Sequence, residues 1–221
     1  MILTPEKKLI IVGTSHIAKQ SVKEIKEAFE KNPTILGVEL DRERLHALLH
    51  NLKPTRHPRI IKKIGLKGYL FALIGSIAQE KLGKMVGIKP GSEMLKAVKL
   101  AKEHKSKVVL LDRPIHITLK RFSNAFTWKE KFRFIKDILF PKQAKIKFQL
   151  DSVPEEELIT KLLAYTKERY PSIYTVLVEE RNHYMYERYK AVRTAFPDDL
   201  ILLVMGAGHV EGFLELLNLK K

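Results

Sequence analysis

Four short runs along the chain are almost continuously apolar and end in glycine or polar residues: 9–12 (LIIV), 35–40 (ILGVEL), 108–111 (VVLL) and 200–205 (LILLVM). That is the pattern of parallel strands covered on both faces. Between the first two, Val22, Ile25, Ala28 and Phe29 recur at helical spacing and Asn32-Pro33 stops the run, which predicts a βαβ unit. Asp41 is placed to cap a helix whose Leu45, Leu48, Leu49 and Leu52 share a face. After Pro90-Gly91, Ser92 is placed to cap another, with Leu95, Val98 and Ala101 turned inward. Ser152-x-x-Glu155 reads as a capping box ahead of Leu158, Leu162 and Leu163.

The expected fold is therefore α/β, a small mostly parallel sheet flanked by helices. Two stretches without strand signals, about 53–89 and 114–195, read as helical insertions over the sheet, so residues 1–221 are expected to form one domain. Neither a fixed-period repeat nor a low-complexity tract interrupts this reading.

Composition narrows the function classes. The chain lacks cysteine, which removes disulfides, thiolate zinc sites and a cysteine nucleophile, and it favours a cytoplasmic protein. Its start shows no signal-peptide pattern, and the longest apolar patch, YLFALIGSIA at 69–78, is too short to span a bilayer. A soluble protein is expected. The formal charge of +16 would attract anionic partners. Its excess is spread at helical spacing through 53–147, so a solvated basic face is expected, and nucleic acid is not the expected partner. Phe122, Phe126, Trp128, Phe132 and Phe134 alternate with basic residues there and read as core or lid.

In open parallel sheets, ligands bind beyond the carboxyl ends of the strands. The polar residues at those ends are His16, Glu39, Asp112-Arg113 and His209. His16 and His209 sit in the same setting, an apolar run closed by Gly-x-x-His (Gly13 and Gly206), with the glycines expected to let the chain turn sharply. A dinucleotide fingerprint is excluded because Gly206-Ala-Gly208 is followed by Glu211 where the pattern needs glycine or alanine. Phosphate-loop, His-Glu-x-x-His and nucleophile-elbow motifs are also missing. Further along, if Pro171 opens a helix, Ile173, Leu177, Glu180 and Tyr184 fall on one stripe and Tyr174, Val178, Arg181 and Met185 on the next. Glu180 and Arg181 thus project from an apolar face, either as a buried ion pair with Arg113 or Arg121 or as catalytic groups. Glu179, His183 and Glu187 fall on the solvated side.

GTSHIAKQSVKEI, PTILGVELDRERLHAL, GIKPGSEMLKAVKLA, VVLLDRPIHITLKR, EERNHYMYERY and GAGHVEGFLELL, in this order over nearly the whole chain, resemble the TraB/PrgY family. That family looks related to the Tiki metalloproteases, the erythromycin esterases and the ChaN-like haem-binding proteins. The resemblance implies a central cluster of His16, Glu39 and His209 with arginines and Glu180 around it. It also implies peptide processing with a divalent metal such as manganese or cobalt. The sequence departs from the family at Asn182, where the helix motif commonly reads Glu-Arg-Asp, and it lacks the hydrophobic segments that many members carry beyond the second Gly-x-x-His.

The leading expectation is a metal-dependent hydrolase acting on a peptide or a small amide or ester. His16, Glu39 and His209 would be metal ligands suited to manganese, cobalt or zinc. Glu180 would be a general base, and Arg113, Arg121 or Arg181 would stabilise an oxyanion. The alternatives are a metal-free hydrolase using a histidine as base, and a non-catalytic module binding haem or a small anion. Assembly into a homo-oligomer is left open by the sequence.

Overall fold

The computed structural model describes residues 1–14, 18–52, 91–139 and 155–218. The expected helical stretch at 53–89 and the Ser152 capping box lie outside them.

The predicted strands form: β2 (Leu9–Thr14), β3 (Ile35–Val38), β4 (Lys107–Leu110) and β5 (Ile201–Gly206). A fifth, β1 (Ile2–Glu6), was not expected, because its ILTPE is half polar and contains proline. It is tolerated as an antiparallel edge strand with an irregular register between Leu3 and Glu6. The order is β1-β2-β5-β3-β4, and every pair other than β1 with β2 is parallel. The last strand in sequence therefore lies at the centre, between β2 and β3.

Strand alternation sends side chains to two cores. On one face Ile10, Val12, Leu36, Val38, Leu202 and Val204 meet Ile25, Ala28 and Phe29 of α1 (Ala18–Phe29) and Met94, Ala97 and Leu100 of α3 (Ser92–Glu103). On the other, Leu9, Ile11, Ile201, Leu203 and Met205 meet Met185, Tyr186 and Tyr189 of α8 (Glu180–Ala195) and Phe213 and Leu217 of α9 (Ala207–Asn218). Both faces are covered, which is why these strands read as unbroken apolar runs.

The helical faces differ in detail from the periodic reading. Asp41 caps α2 (Arg42–Leu49), its Oδ1 accepting the amides of Glu43 (2.7 Å) and Arg44 (3.0 Å). The helix stops one turn before Leu52, leaving Leu49 and Leu52 exposed. Gly91 caps α3 in place of Ser92, with φ of 84°, a conformation that favours glycine. Met94, Ala97, Leu100 and Ala101 are the buried residues of that helix, so its inward face is rotated from the expected one.

Helices α4 (Ile115–Ala125), α5 (Trp128–Leu139), α6 (Glu155–Arg169) and α7 (Pro171–Tyr174) share a small core of Phe122, Tyr170, Ile173 and Val176. Phe126 and Phe134 pack against it, whereas Trp128 and Phe132 are exposed, so the aromatic series is only partly core. Leu162 of α6 is exposed as well. Pro171 does open its helix, but α7 passes into α8 through a π turn, Thr175–Glu179. The wider turn rotates all that follows it. Asn182, Met185, Tyr186 and Tyr189 become the inward face, and Tyr184 of the expected stripe is exposed. Among the described residues no helix is long and apolar enough to cross a membrane.

Candidate functional site

Because β2 and β5 are neighbours, Gly13 pairs with Met205 and Thr14 with Gly206, so the glycines that open the two Gly-x-x-His segments lie on adjacent strands at one edge of the sheet. Their glycines do not serve a left-handed turn: among the described residues only Gly91 is a glycine with positive φ. They make room. A Cβ on Gly13 would stand 2.8 Å from Val210 Cγ2, and one on Gly206 would stand 3.3 Å from Glu39 Oε2. His16 lies outside the described residues. His209 is buried in the first turn of α9.

The carboxyl ends of β3, β4 and β5 deliver Glu39, Asp112 and His209 to one edge, and α8 crosses above them with Arg181 and Asn182. Glu39 Oε2 accepts the Gly206 amide at 2.7 Å, and Oε1 accepts from Arg181 Nη2. His209 Nε2 lies 3.3 Å from Glu39 Oε1 and 2.9 Å from Arg181 Nη1, and His209 Nδ1 lies 2.6 Å from Asn182 Oδ1. Arg181 also donates to Asp112 through Nε (3.2 Å) and Nη2 (2.7 Å), and Arg44 Nη1 donates to Asp112 Oδ2 at 3.0 Å. Two carboxylates thus face two guanidiniums around one imidazole.

Burial alone would push the Glu39 carboxyl up. Attraction to His209 when that ring carries a proton, and to Arg181, outweighs burial and holds Glu39 well below the ordinary carboxylate range. Burial also works against charge on Arg181, but Glu39 and Asp112 raise its pKa, so both partners stay ionised.

A second cluster sits beside the first. Arg113 is buried and donates from Nη1 to Glu180 Oε2 (2.7 Å), from Nη2 to the Val176 carbonyl (2.7 Å) and from Nε to Thr118 Oγ1 (2.8 Å). Arg121 approaches the same carboxylate from the exposed side through Nη2 and Nε. The hydrogen bond from Arg121 is the largest influence on Glu180; against the opposing effect of burial, it and Arg113 lower the carboxyl's pKa. Glu180 is therefore the bracketed ion pair that the apolar-stripe argument allowed. Two carbonyls of the π turn, Val176 and Leu177, accept from arginine, the latter from Arg181 Nη1 at 3.2 Å.

A profile of the TraB/PrgY/gumN family matches residues 2–221. The chain belongs to this family. An "Uncharacterized protein MJ1365" from Methanocaldococcus jannaschii is 34% identical over 216 residues, covering 95% of this chain and 53% of its own length. A "TraB domain-containing protein" of Homo sapiens is 24% identical over 230 residues, covering 93% of this chain and 61% of its own, and one of Mus musculus matches equally. The chain thus spans 53% to 61% of the length of these relatives.

In this TraB/PrgY/gumN chain, Glu39, Arg181 and His209 touch one another, while Arg113, Arg121 and Glu180 form the adjoining cluster. The residues the sequence did not mark as part of the site are Arg44 and Asn182, and Asp112 was noted only for its place after a strand. Asn182 was marked only as the departure from Glu-Arg-Asp, because a regular α-helix from Pro171 would have turned it elsewhere. Among the described residues no three histidine, aspartate or glutamate side chains gather as a metal site.

Proposed function

We propose that the Glu39–His209 cluster is the reactive centre of a hydrolase for a peptide or another amide or ester, and that it works with a divalent metal. The observation that carries this reading is the pair itself. Glu39 Oε1 and His209 Nε2 stand 3.3 Å apart, and each is held from behind, by the Gly206 amide on Oε2 and by Asn182 on Nδ1. Two ligands bound at about 2.1 Å with tetrahedral or octahedral angles are separated by about 3 to 3.4 Å, so the donors fit manganese, cobalt or zinc. Ligand side chains fixed by outer hydrogen bonds are the usual support of such a site. His16 is the third donor this reading takes from the sequence.

A divalent ion would supply Lewis acidity toward the scissile carbonyl and toward water. The rest falls to the chain. Arg181, anchored on Asp112 by Nε and Nη2 and on the Leu177 carbonyl by Nη1, also donates to His209 Nε2 and Glu39 Oε1, so a metal on those two atoms would require the guanidinium to shift as a unit, which would leave its N–H groups facing a developing oxyanion. Arg113 and Arg121 are already committed to Glu180, and Glu180, held low by both, is a weak base. Its part is to hold the wall beside the site.

Calorimetry with manganese, cobalt and zinc, on the protein and on His209→Ala and Glu39→Gln, tests the reading beside a peptide panel. Binding that both variants lose, with turnover that follows the metal, is expected. Equal binding in the variants, with turnover untouched by His209→Ala, would overturn it. A second reading has its own observation, the Arg181 guanidinium hydrogen-bonded to Nε2 and to Glu39, which pairs a base with a cation without a metal. Full turnover after chelation that still requires His209 would select it.

A further inference from the structure

We infer that Asn182 is a positioning residue: it fixes His209 as the Nδ1–H tautomer, so that the lone pair of Nε2 is turned to Arg181 Nη1, beside Glu39. The functional consequence rests on the hydrolase reading above; the tautomer itself does not.

The argument begins with Arg181. Its Nη1 stands 2.9 Å from His209 Nε2, and a guanidinium has donors only. Glu39 Oε1, farther from Nε2 at 3.3 Å, takes its hydrogen from Arg181 Nη2, so the arrangement that serves all three groups makes Nε2 the acceptor. A neutral imidazole has one N–H, so that hydrogen is on Nδ1, where the atom 2.6 Å away must accept it. Of the two ends of the Asn182 amide, only Oδ1 can do so.

The surroundings hold Asn182 to this task. It is 4% exposed, on the inward face that the π turn creates. Its amide lies against Gly212, three residues after His209 and on the same face of α9. A Cβ at Gly212 would collide with Asn182 Nδ2. Gly212, the residue after the Glu211 that breaks the dinucleotide fingerprint, thus has its own reason. It is the clearance through which Asn182 reaches the histidine. A free neutral imidazole in water favours the Nε2–H form, so the protein imposes the less favoured one. Asn182 does this as an amide, adding no charge to the cluster.

The test is long-range proton–nitrogen correlation spectroscopy of the imidazoles in metal-free protein, in alkaline buffer where free histidine is neutral, with His209→Gln identifying the signal. The wild-type ring should show the Nδ1–H pattern. Asn182→Ala and Asn182→Leu should move it to Nε2–H or to a mixture, while the other histidines keep their signals. Asn182→Asp, whose carboxylate also accepts from Nδ1, should restore the wild-type pattern. Gly212→Ala should act like Asn182→Ala from outside the hydrogen-bonded cluster. A wild-type Nε2–H ring, or an Nδ1–H ring that survives both Asn182→Ala and Gly212→Ala, overturns the inference. The wild-type spectrum decides even if a variant fails to fold, and it does so whether or not any substrate is hydrolysed.

Discussion

Glu39 and Glu180 are carboxylates in adjoining clusters, both paired with arginine and both held below the ordinary range, yet they are built for different work. Glu180 is bracketed by two guanidiniums, one buried and one exposed, and the buried one is locked in place by Val176 and Thr118. Glu39 shares Arg181 with Asp112 and stands against an imidazole nitrogen whose other side is fixed by Asn182. A saturated carboxylate positions helices. A carboxylate beside an oriented lone pair can hold a metal or serve proton transfer. The direction of the pKa shift does not separate the two, whereas the identity of the neighbours does.

The sharpest way to break this contrast is to neutralise each carboxylate in turn. Glu39→Gln should lower hydrolysis by about two to four orders of magnitude, the usual scale for loss of an acid–base or ligand group. Glu180→Gln should stay within about tenfold of the parent by the same scale. Initial rates on the same peptide panel compare them. Equal losses would make Glu180 a participant and erase the distinction.

The next effect concerns stability. Arg181 is 15% exposed at its side chain, and its partners Glu39 and Asp112 are 9% and 4% exposed. Arg181→Ala strands both carboxylates, and breaking a buried pair from one side costs about 3 to 5 kcal/mol. Urea unfolding should register that loss at neutral pH. A shift under about 1 kcal/mol, the range of exposed pairs, would mean that water or Arg44 replaces the guanidinium and that the cluster is less enclosed than its exposures imply.

The sequence made the sheet readable because β2, β3 and β5 are covered on both faces and so carry apolar runs, while β4, a half-exposed edge strand, keeps an apolar run after Lys107. The same runs mark their own ends, which by parallel-sheet logic alone put Glu39, Asp112 and His209 on one edge. What stayed hidden depends on departures from regular geometry. β1 is a half-exposed edge with a proline, and its pattern looks like a loop. The π turn rotates α8, so Asn182 replaces the expected stripe at the site, and no local composition announces the extra residue. Arg44 belongs to the first turn of a short helix and reaches Asp112 only across space. The glycines of the paired motif were visible, but their reason, space for Val210 and Glu39, was not.

The smallest expected effect is at the exposed end of the saturated cluster. Arg121 is 55% exposed at its side chain and touches Glu180 from solvent. Its removal in Arg121→Ala leaves Glu180 paired with buried Arg113, so the urea midpoint should hardly move and hydrolysis should persist. The sign of any residue of effect is fixed by linkage. Glu180 has a lowered pKa in the folded protein, first through Arg121, so the folded state binds fewer protons than the unfolded chain in the acid range. That stabilisation is complete above the unfolded value of about 4.3 and is lost as pH falls through the lower folded value. The parent and Arg121→Ala should therefore differ most at neutral pH and low salt, and converge on acidification or in concentrated salt. Urea midpoints at about pH 7 and about pH 3, below the ordinary carboxylate value, provide the measurement. A gap that widens in acid would show that Arg121 acts through some group other than Glu180, and the picture of a spent, bracketed carboxylate would then fail at its outer edge.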